Sequence, residues 1–369
     1  MSERKTFVIL VLIFITTSMS VSIGEPLFQK QDVYISGLDN HPIYRIPSLL
    51  VTQRGTLLAF CEGRAGDDGS LTDLVLKRSY DNGLTWSAMQ TVLEGHNEAW
   101  MNPCPVIDRR DGTIYLLCYH VFKADEKKHI SNPFNNSNSI MILKSTDDGA
   151  TWSEPVDITE SVGLVVPGPG VGIQLKNGRF IIPCYTKESH SLVIFSDDHG
   201  QSWRGGKPVK VRTNECQAVE LSDGALMLNM RCYKTKKCRY VAISRDCGLT
   251  WDKEYYDNSL IDSENQASIL RYTRKDEGYE KNRILFSNTA HATKRKLMTV
   301  RISYDECKIW PIHEVIYTGP AAYSCLTILQ DGTIGILYET GELYYKDKIT
   351  FTRFNCEWLT NGRDRITLK

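Results

Sequence analysis

The stretch Ser79-Tyr-Asp-Asn-Gly-Leu-Thr-Trp86 decides the fold, because the chain repeats it four times more. The other copies are Ser145-Thr-Asp-Asp-Gly-Ala-Thr-Trp152, Ser196-Asp-Asp-His-Gly-Gln-Ser-Trp203, Ser244-Arg-Asp-Cys-Gly-Leu-Thr-Trp251 and the degenerate Ser303-Tyr-Asp-Glu-Cys-Lys-Ile-Trp310. Counted from first residue to first residue, successive copies lie 66, 51, 48 and 59 residues apart. This spacing is typical of the four-stranded blades of a β-propeller.

Each copy, called an Asp box below, has the chemistry of a tight turn. Its Ser and Asp side chains accept local backbone N–H bonds, its Gly supplies a positive φ, and its Trp packs into the blade. A catalytic role for the box Asp residues is disfavoured, since five copies would be redundant in one site. Cys307 replaces the Gly of the last box, so we expect that turn to be distorted.

A second repeat locates strands. Turn glycines lead directly into apolar stretches, which is typical of strands that follow tight turns. The glycines are Gly55, Gly112, Gly178, Gly224 and Gly332, and Lys281-Asn282 is a weaker sixth signal. Six strand starts predict an all-β fold, a six-bladed β-propeller with Asp-box repeats.

Composition excludes some functions. Lys plus Arg and Asp plus Glu both total 44, so no global field favours nucleic acid or an anionic membrane surface. Any anionic ligand therefore needs a local cluster of cations. No C-x-x-C pair occurs and the histidines are scattered, which disfavours a zinc site.

The N-terminus has the pattern of a signal peptide, which we assign to residues 1–24, with residues 25–369 as the propeller domain. Arg4 and Lys5 precede Phe7-Val-Ile-Leu-Val-Leu-Ile-Phe-Ile15. This apolar run is shorter than the roughly 20 residues that span a bilayer. An uncleaved anchor is the alternative. No later stretch predicts a transmembrane helix, and we expect the secretory pathway: an extracellular or lysosomal protein, or a periplasmic one in a bacterium.

Eleven cysteines are an odd number, so at least one thiol is unpaired. Those inside predicted strands are interpreted as small buried hydrophobes. They are Cys61, Cys104, Cys118 and Cys184. The pairs Cys232 with Cys238 and Cys247 with Cys307 stay open as disulfides. Together with the glycosylation sequon Asn135-Asn136-Ser137, the cysteines favour a eukaryotic secretory route.

Polar side chains end the five Gly-led strands, seven to nine positions after each turn glycine. They are Arg64, His120, Tyr185, Arg231 and Glu339. Equivalent strands of a radial array end on one face, so these side chains are expected to converge there. Two Arg, a Tyr and a Glu suit an anionic ligand.

Arg45 lies in the otherwise apolar strand that contains Tyr44-Arg45-Ile46-Pro47. An Arg in such a strand is rarely buried without an anionic partner. The anionic partner of Arg45 is either a bound ligand or, in the alternative, a salt-bridge partner in the chain, Glu339 or Glu62.

Together with the Asp boxes, the motif Tyr44-Arg45-Ile46-Pro47 resembles the sialidase (exo-α-neuraminidase) family of six-bladed propellers, in its bacterial and animal lysosomal-like branch. The resemblance covers essentially residues 40–360.

The resemblance implies a substrate-binding set. Three arginines would grip the carboxylate of sialic acid, because guanidinium forks match a carboxylate as Lys does not. They are Arg45, Arg231 and Arg295, with Arg301 as the alternative to Arg295. Glu339 would orient Arg45, and Arg64 and Asn102 would contact sugar hydroxyls.

The resemblance also implies the catalytic groups. Tyr323 would be the nucleophile, and Glu215, with Glu220 as its competitor, would take the phenol proton. Asp68 would be the general acid and base, chosen over its loop neighbours Asp67 and Asp73.

The expected function is a retaining exo-α-sialidase that hydrolyses terminal sialic acids from sialylated glycoconjugates without a cofactor. A trans-sialidase is one alternative. A non-catalytic sialic-acid-binding propeller is the other alternative. It is disfavoured because binding alone needs only the arginines, whereas the chain also has Asp68, Glu215 and Tyr323.

Overall fold

The computed structural model describes residues 24–122, 138–233 and 236–367, and within these ranges the chain is almost entirely β-strand. The sequon and all but the last residue of the predicted signal peptide lie outside the described residues. In the described part of the chain, no helix is long and apolar enough to cross a membrane.

The first half of the chain builds three blades after strand β1 (Phe28–Ile35). Blade 1 contains β2 (Ile43–Val51), β3 (Leu57–Arg64), β4 (Thr72–Ser79) and β5 (Gln90–Leu93). Blade 2 contains β6 (Glu98–Ile107), β7 (Ile114–Phe122), β8 (Ser139–Ser145) and β9 (Val156–Asp157), and helix α1 (Thr159–Val162) follows. Blade 3 contains the interrupted inner strand β10 (Val165–Pro167) and β11 (Ile173–Gln174), then β12 (Phe180–Thr186), β13 (Ser191–Ser196) and β14 (Arg204–Gly205).

The second half builds the other three blades. Blade 4 contains β15 (Thr213–Glu220), β16 (Leu226–Cys232), β17 (Cys238–Ser244) and β18 (Lys253–Ile261). Blade 5 contains β19 (Ser268–Thr273), the 3-10 helix Lys275–Glu277, β20 (Arg283–Thr289), β21 (Lys296–Ser303) and the first part of β22 (Ile312–Ile328). Blade 6 contains the second part of β22, β23 (Ile334–Thr340) and β24 (Lys348–Phe354), and helix α2 (Cys356–Leu359) follows. Among the described residues, the strands thus form the six predicted blades.

The ring is closed by the N-terminal strand. β1 pairs antiparallel with β24, from Phe28 opposite Phe354 to Ile35 opposite Lys348, and becomes the outer strand of blade 6. The five Asp boxes connect the third and fourth strands of blades 1 to 5. In blade 6 these two strands are not consecutive in the chain. This closure explains why six blades carry only five boxes.

The degenerate box keeps the geometry of the others, so the expected distortion is wrong. In the first box, Gly83 N donates to Ser79 Oγ at 2.8 Å. In the last, Cys307 N donates to Ser303 Oγ at 3.0 Å. Cys307 adopts φ +67°, a conformation that costs a non-glycine residue energy and that the bonds of the turn sustain.

All eleven cysteines are free thiols, and ten of them are buried. The suggested pairs Cys232 with Cys238 and Cys247 with Cys307 are therefore wrong. Cys61 and Cys118 pack in the apolar layers between and within blades, which confirms their interpretation as small hydrophobes.

Candidate active site

The inner strands of four blades are irregular at the same level of the propeller. Their register shifts lie between Arg45 and Ser48, between Met101 and Cys104, between Thr213 and Cys216, and between Ala321 and Ser324. A bulge re-aims side chains and releases backbone groups from the ladder, and bulges are frequent beside active sites. These irregularities carry Arg45, Asn102, Glu215 and Tyr323.

The four bulges surround an open cleft of about 310 Å³. Its lining consists of Arg45, Ile46, Arg64, Asp68, Gly69, Met101, Asn102, Tyr185, Glu215, Arg231, Arg295 and Tyr323. Eight of the nine site residues predicted from the sequence are in this lining, and the ninth, Glu339, lies directly behind Arg45. The cleft is opposite the Asp boxes, because in blade 1 Arg64 pairs with Thr72 at one strand end and the box begins at the other.

Tyr323 and Glu215 form the centre of the cleft. The Tyr323 hydroxyl donates a short hydrogen bond to Glu215 Oε1. Arg231 Nη1 lies 2.7 Å from Glu215 Oε2 and 3.3 Å from the Tyr323 oxygen. Burial, and after it the charge of Glu215, raises the pKa of Tyr323 well above its ordinary value against the opposing arginines. Tyr323 is thus a neutral phenol already bonded to a base.

Two further arginines flank the Tyr323 ring. The guanidinium carbons of Arg45 and Arg295 lie 5.2 and 5.6 Å from its centroid. Arg295 is held by the Tyr345 hydroxyl, 3.2 Å from its Nη1. The alternative, Arg301, donates to Asn288 Oδ1 within blade 5 and is not in the cleft lining. Between the two candidates, the fold brings Arg295 to the cleft.

Glu339 connects Arg45 to the strand that carries Tyr323. Its Oε1 accepts from Arg45 Nε at 2.6 Å and from Ile46 N at 2.9 Å, and its Oε2 accepts from Tyr323 N at 3.2 Å. Arg45 is 2% exposed and Glu339 is fully buried. Burial opposes the charge on Arg45, but the carboxylate of Glu339 outweighs burial, so the pKa of Arg45 is raised and the guanidinium stays charged. One carboxylate therefore orients two parts of the site.

Replacing Glu339 by Gln is expected to lower the free energy of unfolding by about 3–5 kcal/mol, because it leaves a buried guanidinium without its charged partner. Urea denaturation measures the loss. The control is Asp197→Asn, which removes a partly exposed carboxylate that pairs with Arg204 and Arg179 and is expected to cost about 2 kcal/mol or less. Equal losses in both variants would contradict the role assigned to Glu339.

Glu62 has a corresponding role that the sequence did not identify as part of the site. Its Oε2 accepts from Arg64 Nε at 2.7 Å, and its Oε1 accepts from Asn102 N at 2.7 Å. Complete burial raises the pKa of Glu62, although Arg64 opposes the shift. The sequence did contain a signal for Glu62, because it is a single carboxylate in the otherwise apolar first part of strand β3, just as Arg45 is a single charged residue in the apolar strand β2.

Asp68 lies on the loop between β3 and β4, with its side chain 54% exposed. Arg64 Nη1 donates a short hydrogen bond to Asp68 Oδ1, and Arg45 Nη1 is 3.5 Å from the same oxygen. Burial raises the pKa of Asp68, but Arg64 and then Arg45 lower it further, to about 2. Its competitors point elsewhere: Asp67 pairs with Lys346, and Asp73 bonds to His41.

Two other sequence candidates lie outside the cleft. Glu220 binds Arg274 at 3.0 Å on the opposite face of the propeller. The prediction that His120 joins the other strand-end side chains in the cleft is wrong. His120 instead bonds to Glu98 at 2.8 Å and stacks on Trp100. Tyr185 does reach the cleft.

Comparison with known proteins agrees with this geometry. Residues 55–336 match the model of the BNR repeat-like domain. The chain is 37% identical to a sialidase of Micromonospora viridifaciens over 91% of its own length, and 30% identical to an exo-alpha-sialidase of Arthroderma benhamiae over 90% of its own length and 87% of the relative. The chain belongs to the sialidase family.

Solved sialidases have the same fold. Hadza microbial sialidase Hz136 superimposes with a TM-score of 0.79 at 30% identity, over 88% of this chain and 68% of that one. The chain spans 55% of the length of the Micromonospora sialidase, little more than half of it.

Proposed function

We propose that this sialidase-family chain is a retaining exo-α-sialidase that hydrolyses terminal α-linked sialic acids from glycoproteins, glycolipids and oligosaccharides. The observation that carries the proposal is a buried phenol, Tyr323, bonded to Glu215 and surrounded by Arg45, Arg231 and Arg295. Together they supply a nucleophile, its base and a carboxylate clamp.

Substrate binding follows from the charges. The sialic acid carboxylate is bound among the three guanidiniums, where charge-assisted hydrogen bonds are strong because Arg45 is buried below the open mouth of the cleft. Arg64 and Asn102 are available to the sugar hydroxyls. Because Glu62 holds both of them, this part of the cleft is ordered before substrate arrives.

The chemistry explains why the nucleophile is a phenol. In a sialoside the anomeric carbon itself bears a carboxylate, so an Asp or Glu nucleophile would approach like charge. Tyr323 is neutral until it attacks, when its proton passes to Glu215. Asp68 protonates the leaving oxygen as the glycosidic bond breaks, and the Tyr323 oxygen forms a bond to the anomeric carbon, which gives a covalent aryl ketoside.

Hydrolysis of the intermediate reverses these roles. Asp68 takes a proton from water, the hydroxide attacks the anomeric carbon, and Tyr323 leaves and recovers its proton from Glu215. Two displacements at one carbon retain its configuration. The first product is therefore the α-anomer of sialic acid.

Asp68 must gain a proton before it can act as an acid. In the free protein its pKa is about 2, since Arg64 and Arg45 stabilise the carboxylate. A substrate carboxylate on Arg45 removes part of that stabilisation, so the pKa of Asp68 rises on binding.

Binding of 2,3-didehydro-sialic acid is therefore expected to take up protons at about pH 4, where free Asp68 is ionised and a carboxyl with its ordinary pKa is about half protonated. Calorimetry in two buffers of different ionisation enthalpy measures the uptake. Asp68→Asn, which cannot titrate, is expected to abolish it. Identical heats in both buffers for the unchanged protein would contradict this coupling.

One assay tests the proposed function against both alternatives. A fluorogenic sialoside is incubated with and without lactose, and proton NMR follows the first product. The proposal expects release of α-sialic acid in both samples. If no sialic acid is released, the protein is a binding protein. If sialyl-lactose forms in place of sialic acid, it is a trans-sialidase. If the first product is β-sialic acid, the mechanism is inverting.

Residues 1–24 are proposed to direct the chain into the secretory pathway, on the basis of their charged and apolar pattern. N-terminal sequencing of the mature protein tests this, and a retained Met1 would exclude cleavage.

A further inference from the structure

An interruption of blade 3 fills the propeller axis below the cleft. Residues 167–171, Pro167-Gly-Pro-Gly-Val171, begin at the last residue of β10 and lead to β11, and they are called the axial plug here. Side chains from the inner parts of other blades donate to its carbonyls. The bonds are Ser48 Oγ to Gly170 O at 2.8 Å, Asn102 Nδ2 to Pro167 O at 3.0 Å, Gln217 Nε2 to Pro169 O at 3.0 Å and Gln266 Nε2 to Pro169 O at 3.3 Å.

The composition of the plug suits this crowded position. A Cβ on Gly170, which has φ +123°, would lie 2.6 Å from Gln217 Nε2. Only glycine therefore allows both the backbone conformation and the close approach. Each proline contributes a carbonyl acceptor without an N–H that would need a partner in the buried axis.

Gln266 connects the plug to the strand of the nucleophile. Its Nε2 donates to Pro169 O, while its Oε1 accepts from Ser324 N at 3.0 Å. Gln266 is 1% exposed, so both bonds form away from water. Gln217 is equally buried and donates to the same carbonyl, but its other bonds go to Val171 N of the plug and to Cys216 O of its own strand, so it makes no bond to β22.

The bond to Ser324 matters because of where it is made. The register shift between Ala321 and Ser324 leaves this part of β22 without regular ladder bonds to β23. Side chains replace them: Glu339 accepts from Tyr323 N, and Gln266 accepts from Ser324 N. The bulge that carries Tyr323 is therefore fixed by two side chains, of which one is anchored to the axis.

We infer that Gln266 is a positioning residue for catalysis, which holds the Tyr323 hydroxyl in line with Glu215 and the bound sugar by tying its bulge to the axial plug. The inference rests on the proposed function. Loss of the acceptor leaves a buried N–H unpaired, and the bulge rearranges to satisfy it. A displacement of about 1 Å at a reacting group costs about 100-fold in rate.

The test compares Gln266→Met with Gln217→Met. Both remove a buried amide and its bond to Pro169, and similar decreases in Tm are expected. Gln266→Met alone is expected to lower kcat by about 10- to 100-fold. KM changes little, because the arginine clamp is intact. Inactivation by 2,3-difluorosialic acid, in which Tyr323 displaces fluoride, gives a second measurement. For Gln266→Met, its maximal rate is expected to fall by the same factor as kcat, while the inhibitor concentration that gives half of the maximal rate stays unchanged.

Gln266→Glu supplies a rescue. Its protonated carboxyl, favoured by burial, offers Ser324 an acceptor and Pro169 a donor, so kcat is expected to recover towards that of the unchanged protein. Equal loss of kcat in both Met variants would overturn the inference, as would full kcat in Gln266→Met. If Gln266→Met does not fold, a folded Gln266→Glu with kcat lowered tenfold or more overturns it. An inactive unchanged protein would instead contradict the proposed function.

Discussion

Tyr323→Phe is expected to lower kcat/KM by at least about 10³-fold, on the scale of nucleophile removal in other covalent hydrolases. Phenylalanine keeps the ring between Arg45 and Arg295 but has no oxygen to attack the anomeric carbon. Binding of 2,3-didehydro-sialic acid is expected to persist, because the clamp is unchanged. Steady-state kinetics with sialyl-lactose and calorimetry measure the two effects.

Tyr338→Phe is the matched control. Tyr338 is a fully buried tyrosine on β23, and its hydroxyl bonds to Thr352 within blade 6. Loss of this bond affects stability by about 1 kcal/mol and is expected to leave activity intact. If Tyr323→Phe retained activity comparable with this control, Tyr323 would not be the nucleophile.

Asp68→Ala is expected to lower kcat/KM for sialyl-lactose by about 10²- to 10⁴-fold, the usual contribution of a general acid. The loss depends on the leaving group. A sugar hydroxyl needs a proton to depart, whereas 4-nitrophenolate is a weak base and departs without one. The pre-steady-state burst with 4-nitrophenyl sialoside is therefore expected to fall far less than turnover of sialyl-lactose.

Asp67→Ala is the control for this loop. The Asp67 side chain is 68% exposed and pairs with Lys346 at the surface. Such pairs contribute about 1 kcal/mol or less, so both substrates are expected to react almost as in the unchanged protein. Equal losses for both leaving groups in Asp68→Ala would exclude an acid role for Asp68.

Local patterns predicted the scaffold. The Asp boxes and the Gly-led strands depend on turns within eight residues, whose bonds are the same wherever the turn lies. For that reason even the box with Cys307 closes as the others do. The missing sixth box follows from ring closure between β1 and β24, which joins residues at opposite ends of the chain.

The resemblance to sialidases selected the residues that line the cleft and also Glu339 as the partner of Arg45, but it did not identify the other groups that hold the site. Glu62 was considered only as a partner of Arg45, and it instead binds Arg64 and Asn102. Gln266 gave no signal, because it follows the polar residues Asp262-Ser-Glu-Asn265, where a glutamine is ordinary. The suggested disulfides failed because cysteine spacing does not fix which side chains approach each other.

By itself, then, the sequence determined the repeat, the blade number and the identity of the groups available for chemistry, since these depend on local turns and residue type. Only the tertiary structure decided the geometry in which those groups meet. Glu339 reaches Arg45 across 294 positions of the chain, and Tyr323 reaches Glu215 across 108. The register shifts that aim Arg45, Glu215 and Tyr323 at one cleft arise where blades meet at the axis, and no short segment encodes such contacts.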